Sequence, residues 1–175
     1  MGSPWTFLRL AYLALFLSLA GAIIFIHLLP LGSGVGRLPG PDFLVALAFA
    51  WVLRRPEFAP VLAVAAIVFL SDVFFMRPLG LWTALVVIAT EALRRQSGAL
   101  RDQPFLAEWA LVAGVTAVLF LANTCVLALF GVEQPGLGLV LLQMIFTVVV
   151  YPIVTAVSGL VFGVTKPRPR DSEGI

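Results

Sequence analysis

The chain has 175 residues, of which 61% are hydrophobic and only 11% charged, and a formal net charge of +2; its mean hydropathy is +1.08. Soluble domains carry roughly 25% charged residues, and a small soluble fold cannot hide this much apolar surface, so the composition points to a lipid bilayer. The charge is too small to suggest nucleic acid, and the single cysteine, Cys125, allows neither an internal disulfide nor a thiolate metal site.

A helix needs about 20 apolar residues to cross the hydrocarbon layer. The first apolar run, 7–29, is longer than the core of a signal peptide and reads as a retained span. His27 lies near its end with no second histidine to complete a site, and reads as interfacial. A glycine- and proline-rich loop, Gly32 to Pro41, leads to the run 42–53. This run opens on Pro41-Asp42, closes on Arg54-Arg55-Pro56 and is short enough to be either re-entrant or a crossing of a thinned bilayer. The run 59–76 carries one carboxylate, Asp72, and closes on Arg77-Pro78-Leu79-Gly80. The run 79–93 is slightly short, whereas 105–130 and 137–164 are long, with a tight turn at Glu133-Gln134-Pro135-Gly136 between them. Pro152 must bend the last run because it lacks the helix donor, and Gly159 and Gly163 form a lone GxxxG. Residues 166–175 are a polar tail. The predicted fold is an all-α integral membrane protein, one transmembrane domain over residues 1–165.

Charge chooses between five crossings and six. With six crossings and a cytoplasmic N-terminus, Arg9, Arg54, Arg55, Arg94, Arg95, Arg101, Lys166, Arg168 and Arg170 fall inside, and only Arg37 and Arg77 outside. That is the bias expected of a membrane protein with both termini in the cytoplasm. If 42–53 does not cross, the bias is lost. Trp5, Trp51, Trp82 and Trp109 all fall near predicted span ends, where indoles favour the interface.

A carboxylate inside a membrane costs on the order of 2.5–3.5 kcal/mol on insertion scales, so Asp72 needs a reason. Three readings stay open: an interfacial carboxylate pairing with Arg77 or capping a turn, a polar anchor for a partner helix or adjacent loop, and a proton or ion relay. Glu91 and Glu108 read as headgroup-level charges near Arg94, Arg95 and Arg101. Cys125 reads as a packed, inert thiol. Asn123, Thr124, Gln143 and Thr147 are expected to bond to backbone or neighbouring helices. No HExxH, GxSxG, phosphate-binding loop or acidic metal motif occurs in the sequence. The expectation is a non-enzymatic protein with no catalytic residue, metal or cofactor.

The motif order resembles the rod shape-determining protein MreD family of bacteria. The residues carrying the resemblance are Pro41-Asp42-Phe43-Leu44 opening a short second span, Ala50-Trp51-Val52-Leu53-Arg54-Arg55-Pro56 closing it, Asp72 followed by Leu79-Gly80, and Tyr151-Pro152 in the last span. The resemblance implies an inner-membrane component of the elongasome, a scaffold for cell shape and lateral-wall peptidoglycan synthesis. Its implied closest partner is MreC, and through MreC the MreB filament, RodA and a class B penicillin-binding protein. The implied interaction or structural residues are Pro41, Asp42, Arg55, Pro56, Asp72, Arg77, Pro78, Gly80, Tyr151 and Pro152. The family's fold is similar to the substrate-binding subunit of energy-coupling-factor transporters. That similarity supplies an alternative function, a small-molecule-binding membrane subunit of a transporter.

Overall fold

The computed structural model describes residues 4–29 and 39–164. Arg37, Gly32, Gly34 and Gly36 of the first loop and the tail 166–175 lie outside the described residues. Among the described residues there are six helices and no strand: α1 (Pro4–Leu28), α2 (Phe43–Arg54), α3 (Val61–Phe74), α4 (Leu81–Gln96), α5 (Phe105–Leu129) and α6 (Leu137–Phe162). Three of them, α1, α5 and α6, are long and apolar enough to cross a membrane. The six-span expectation is met to that extent. The helices α2 and α3 are apolar but only 12 and 14 residues long, and α4 carries Glu91, Arg94 and Arg95 towards its end.

The shortest helix is the centre of the bundle. Every residue from Leu44 to Leu53 is buried, as expected of a helix apolar on all sides. The helix α2 packs on α1, α4 and α6, while α1–α3, α3–α4, α4–α5 and α5–α6 contacts link the other helices in a row around it. At about 1.5 Å per residue α2 is roughly 18 Å long, shorter than the roughly 30 Å hydrocarbon layer. A helix buried inside the bundle needs protein groups at its ends to meet its free backbone N–H and C=O groups.

Each surrounding helix turns one stripe inward. The helix α3 buries Val64, Ile67, Val68, Ser71 and Asp72, and α4 buries Trp82, Val86, Ala89, Thr90 and Leu93. The helix α5 buries Glu108, Val112, Thr116, Leu119 and Phe120. These spacings of three and four are one helical face. The outward faces are equally apolar: Leu62 is 82% exposed, Val118 68% and Leu160 87%. Cys125 shares the outward face of α5 with Val118, Leu121 and Leu129, so it is exposed and not packed as the sequence reading expects.

The bundle has two ends, named here for the acids they contain. The Asp72 end gathers the start of α2, the α3–α4 turn, the end of α5 and the start of α6. The Glu108 end gathers the end of α2, the α2–α3 loop, the end of α4 and the start of α5. Between them, Pro152 sits inside α6. A proline frees the carbonyl four residues earlier, here Val148, and the Trp109 indole of α5 donates to that oxygen at 2.9 Å. The expected break in α6 thus has a local partner. Trp51 and Trp82 are buried rather than interfacial, and Trp51 Nε1 donates to Ser158 Oγ at 3.2 Å; Trp5, 73% exposed, is the tryptophan that fits the interfacial expectation by exposure.

Candidate functional site

The Asp72 end brings together most of the residues singled out in the sequence. The start of α2 is capped by Asp42: its Oδ1 accepts from Val45 N at 3.0 Å. The Asp42 amide donates to Thr147 Oγ1 of α6 at 2.9 Å, and that hydroxyl donates to Gln143 O at 2.8 Å. One aspartate therefore closes the helix and ties it to α6. A carboxylate is well suited to this place, since a helix N-terminus presents free N–H groups and a partial positive charge.

Asp72 caps a helix other than its own. It projects from the end of α3 and is fully buried. Its Oδ2 accepts from Gly80 N at 3.3 Å, Thr83 N at 3.1 Å and Thr83 Oγ1 at 2.7 Å. These are donors at the start of α4. Gly80 is left-handed, with φ +84, a conformation natural to glycine, and this aims its N–H at the carboxylate. The turn between is a tight helix stop: Met76 is also left-handed at φ 51, and Arg77 N donates to Asp72 O at 3.1 Å. Of the three readings of Asp72, the cap accounts for its contacts; the pairing with Arg77 side chain does not occur. The second carboxylate oxygen, Oδ1, is buried with no hydrogen-bond partner among the described residues.

Arg77 pairs instead with Asp42, Nη1 to Oδ2 at 3.8 Å. Its guanidinium lies over the rings of Phe75 and Trp82, 5.4 and 5.2 Å from their centroids. Arg77 thereby connects the cap of α2 to the α3–α4 turn. Pro41 precedes the cap, and Pro78 shapes the turn, its carbonyl accepting from Leu81 N at 3.3 Å. Around this corner lie two cavities. One, of about 670 Å³, is lined by His27, Pro41, Asp42, Arg77 and Gln143 among others. The other, of about 290 Å³, lies between the α3–α4 turn, α5 and α6. His27 Nδ1 donates to Ile23 O at 3.0 Å, and the ring packs beside Phe43 and Phe75, in keeping with a lone histidine.

The other singled-out residues lie at the Glu108 end. Arg55 bonds to Glu57 at 3.4 Å and lies over the Phe58 ring. Pro56 and Ala59 offer their carbonyls to Arg94, whose Nη1 and Nη2 donate at 2.6 Å each while Nε donates to Glu91 at 2.7 Å. Glu91 thus pairs with a neighbouring arginine as expected. Glu108 does not: it is fully buried, accepts from Tyr151 Oη at 2.7 Å and lies 3.5 Å from Arg54 Nε. The resemblance implies an interaction or structural role for Tyr151, but nothing in the sequence reading pairs it with Glu108 or Arg54. The signal available was position: Glu108 begins the same stripe that continues through Val112, Thr116 and Leu119.

Chemically the Asp72 end is a set of caps and linkers. Among the described residues no group of three His, Cys, Asp or Glu side chains could hold a metal ion. A comparison with protein-family models, with curated proteins and with solved structures gives no match for this chain.

Proposed function

We propose that the chain is a non-enzymatic membrane scaffold of the MreD kind, crossing the inner membrane six times with both termini in the cytoplasm and holding MreC. The observation that carries this reading is the meeting of two parts of the Pro41–Gly80 motif, Pro41-Asp42 and Asp72 to Gly80, at one corner. Asp42, Asp72, Arg77 and Gly80 together fix the start of the central helix and the α3–α4 turn. A corner so fixed is a rigid platform on which a partner's transmembrane segment can dock. The exposed apolar faces, Leu62, Val118 and Leu160 among them, suit lipid or a partner helix. Basic residues also support the orientation: Arg54, Arg55, Arg94, Arg95 and Arg101 cluster at the Glu108 end, which would face the cytoplasm.

The test is co-purification of the intact chain with MreC from bacterial membranes. Retention through detergent washing is expected; failure to retain MreC under conditions that keep the bundle folded would overturn the reading. A second function, a small-molecule-binding transporter subunit, is favoured by the 670 Å³ cavity, whose size is that of ligand pockets. Saturable thermal stabilisation by a soluble vitamin would support it over the scaffold.

A further inference from the structure

We infer that the smaller cavity at the Asp72 end is a binding site for the phosphodiester headgroup of an anionic membrane lipid. The cavity has a volume of about 290 Å³ and is lined by Arg77, Trp82, Phe120, Asn123, Gln134 and Gln143 among others. It is near the lower bound of ligand-sized pockets, so it suits a headgroup and not a whole lipid. The inference rests on the reading that α5 and α6 cross the membrane.

Three side chains from three elements have donors there that make no hydrogen bond among the described residues. The Arg77 guanidinium is 3.8 Å from Asp42, an ion pair too long for a hydrogen bond, and it makes no side-chain hydrogen bond among the described residues. Its position is nonetheless fixed by the faces of Phe75 and Trp82. The side-chain amides of Asn123 and Gln143 likewise make no hydrogen bond among the described residues. Gln134, by contrast, is anchored by its Nε2 to Thr124 O at 3.2 Å and closes the far wall.

Depth makes these groups costly unless something occupies the cavity. Asn123 stands six residues before the end of α5 at Leu129, about 9 Å along the helix axis. A helix of 25 residues is roughly 38 Å long against a hydrocarbon layer of about 30 Å. Asn123 therefore falls just inside the hydrocarbon boundary, where water does not reach freely and an unmet amide is penalised. Charge selects the ligand. Arg77 faces both cavities, but the larger one includes Asp42, whereas the smaller has no carboxylate in its lining. One cation and two amides, with an aromatic floor, fit an anion bearing further hydrogen-bonding oxygens, and arginine binds phosphate well. A lipid supplies that anion at this depth, with its acyl chains left outside against the apolar helix faces.

The experiment titrates the purified intact chain in neutral detergent, following its unfolding temperature. The probes are short-chain phosphatidylglycerol, phosphatidylcholine of the same chain length, glycerol phosphate and inorganic phosphate. Phosphatidylglycerol should stabilise saturably, with at least tenfold higher affinity than the other three. Asn123→Leu and Gln143→Leu should each weaken it about tenfold, and Arg77→Gln by up to about a hundredfold, the range for lost neutral and charge-assisted hydrogen bonds. Unchanged affinity in both Asn123→Leu and Gln143→Leu overturns the site, whatever Arg77→Gln does to folding. Equal binding of phosphatidylcholine overturns the anion, and equal binding of glycerol phosphate or inorganic phosphate overturns the lipid. Failure of the membrane reading shows separately, as protein extracted from cells without detergent.

Discussion

The two ends of the bundle solve the same problem with opposite chemistry. At the Asp72 end the exposed backbone groups are helix N–H donors, and carboxylates meet them: Asp42 at α2 and Asp72 at α4. At the Glu108 end they are carbonyls of the α2–α3 loop, and Arg94 meets them at Pro56 and Ala59. The pattern follows the helix dipole, with acids at N-termini and bases where chains leave C-termini. The ends differ in reach. Asp72 satisfies donors within a single turn, whereas Glu108 joins three helices through Arg54 of α2 and Tyr151 of α6. The caps join helices in pairs, α2 to α6 through Asp42 and α3 to α4 through Asp72, whereas the Glu108 network joins three.

If that contrast is right, the largest loss comes from the Glu108 end. Glu108→Ala removes the acceptor of the Tyr151 hydroxyl and leaves Arg54, whose side chain is 15% exposed, without its carboxylate. Breaking a buried pair from one side costs about 3–5 kcal/mol. Equilibrium unfolding of the purified chain in detergent reads this directly. Glu108→Gln keeps an acceptor for Tyr151 and should lose less. A loss below about 1 kcal/mol for Glu108→Ala would show that the network carries no more than an exposed salt bridge does, and the contrast between the ends would vanish.

The second effect belongs to Asp72. Asp72→Ala orphans the donors Gly80 N, Thr83 N and Thr83 Oγ1. Losing a cap and stranding partly buried donors costs about 2–3 kcal/mol. Asp72→Asn keeps an acceptor oxygen and should recover part of it. The damage should stay local: amide hydrogen exchange at the start of α4 should quicken in Asp72→Ala while exchange along α2 stays slow. Equal acceleration along α2 would mean that the corner, and not α4 alone, depends on this carboxylate.

Helix existence was legible because runs of apolar residues ended at proline, glycine and arginine. The inward faces were harder to see, and for a physical reason. In a soluble helix the solvent side is polar, so the apolar stripe marks the core. Here the outside is apolar too, and Leu62 and Val64 differ in burial but not in chemistry. The readable marks are instead the polar residues, since they must face protein. Read that way, Asp72 and Glu108 each sit on the buried stripe of their helix. The short second run was recognisable as unusual, but its central position depends on contacts with α4 and α6 that lie far away in sequence. The same distance hid the Arg54–Glu108–Tyr151 network and the Trp109–Val148 bond. Asp72 was visible as a buried acid, yet its partner, the start of α4, became clear only once the α3–α4 turn had a shape.

The smallest expected effect is the sharpest test of the comparison, because it concerns the coupling between the ends. Asp72 and Glu108 share no partner: one bonds to α4, the other to α2 and α6. They also lie at opposite ends of a bundle whose shorter helices, such as the 14-residue α3, span about 21 Å. Sites so separated add within about 0.3–0.5 kcal/mol, so the double variant Asp72→Ala with Glu108→Gln should lose the sum of the two single losses, measured by the same unfolding experiment. Two routes could carry coupling: the direct packing of α4 on α5, and α2, which packs on α4 and α6 and is held at both ends, by Asp42 and by Arg54. A coupling above about 1 kcal/mol, well outside additivity, would mean that loosening α4 is felt at the Glu108 end. The two ends would then be one mechanical unit, and the division between pairwise caps and a three-helix lock would have to be given up.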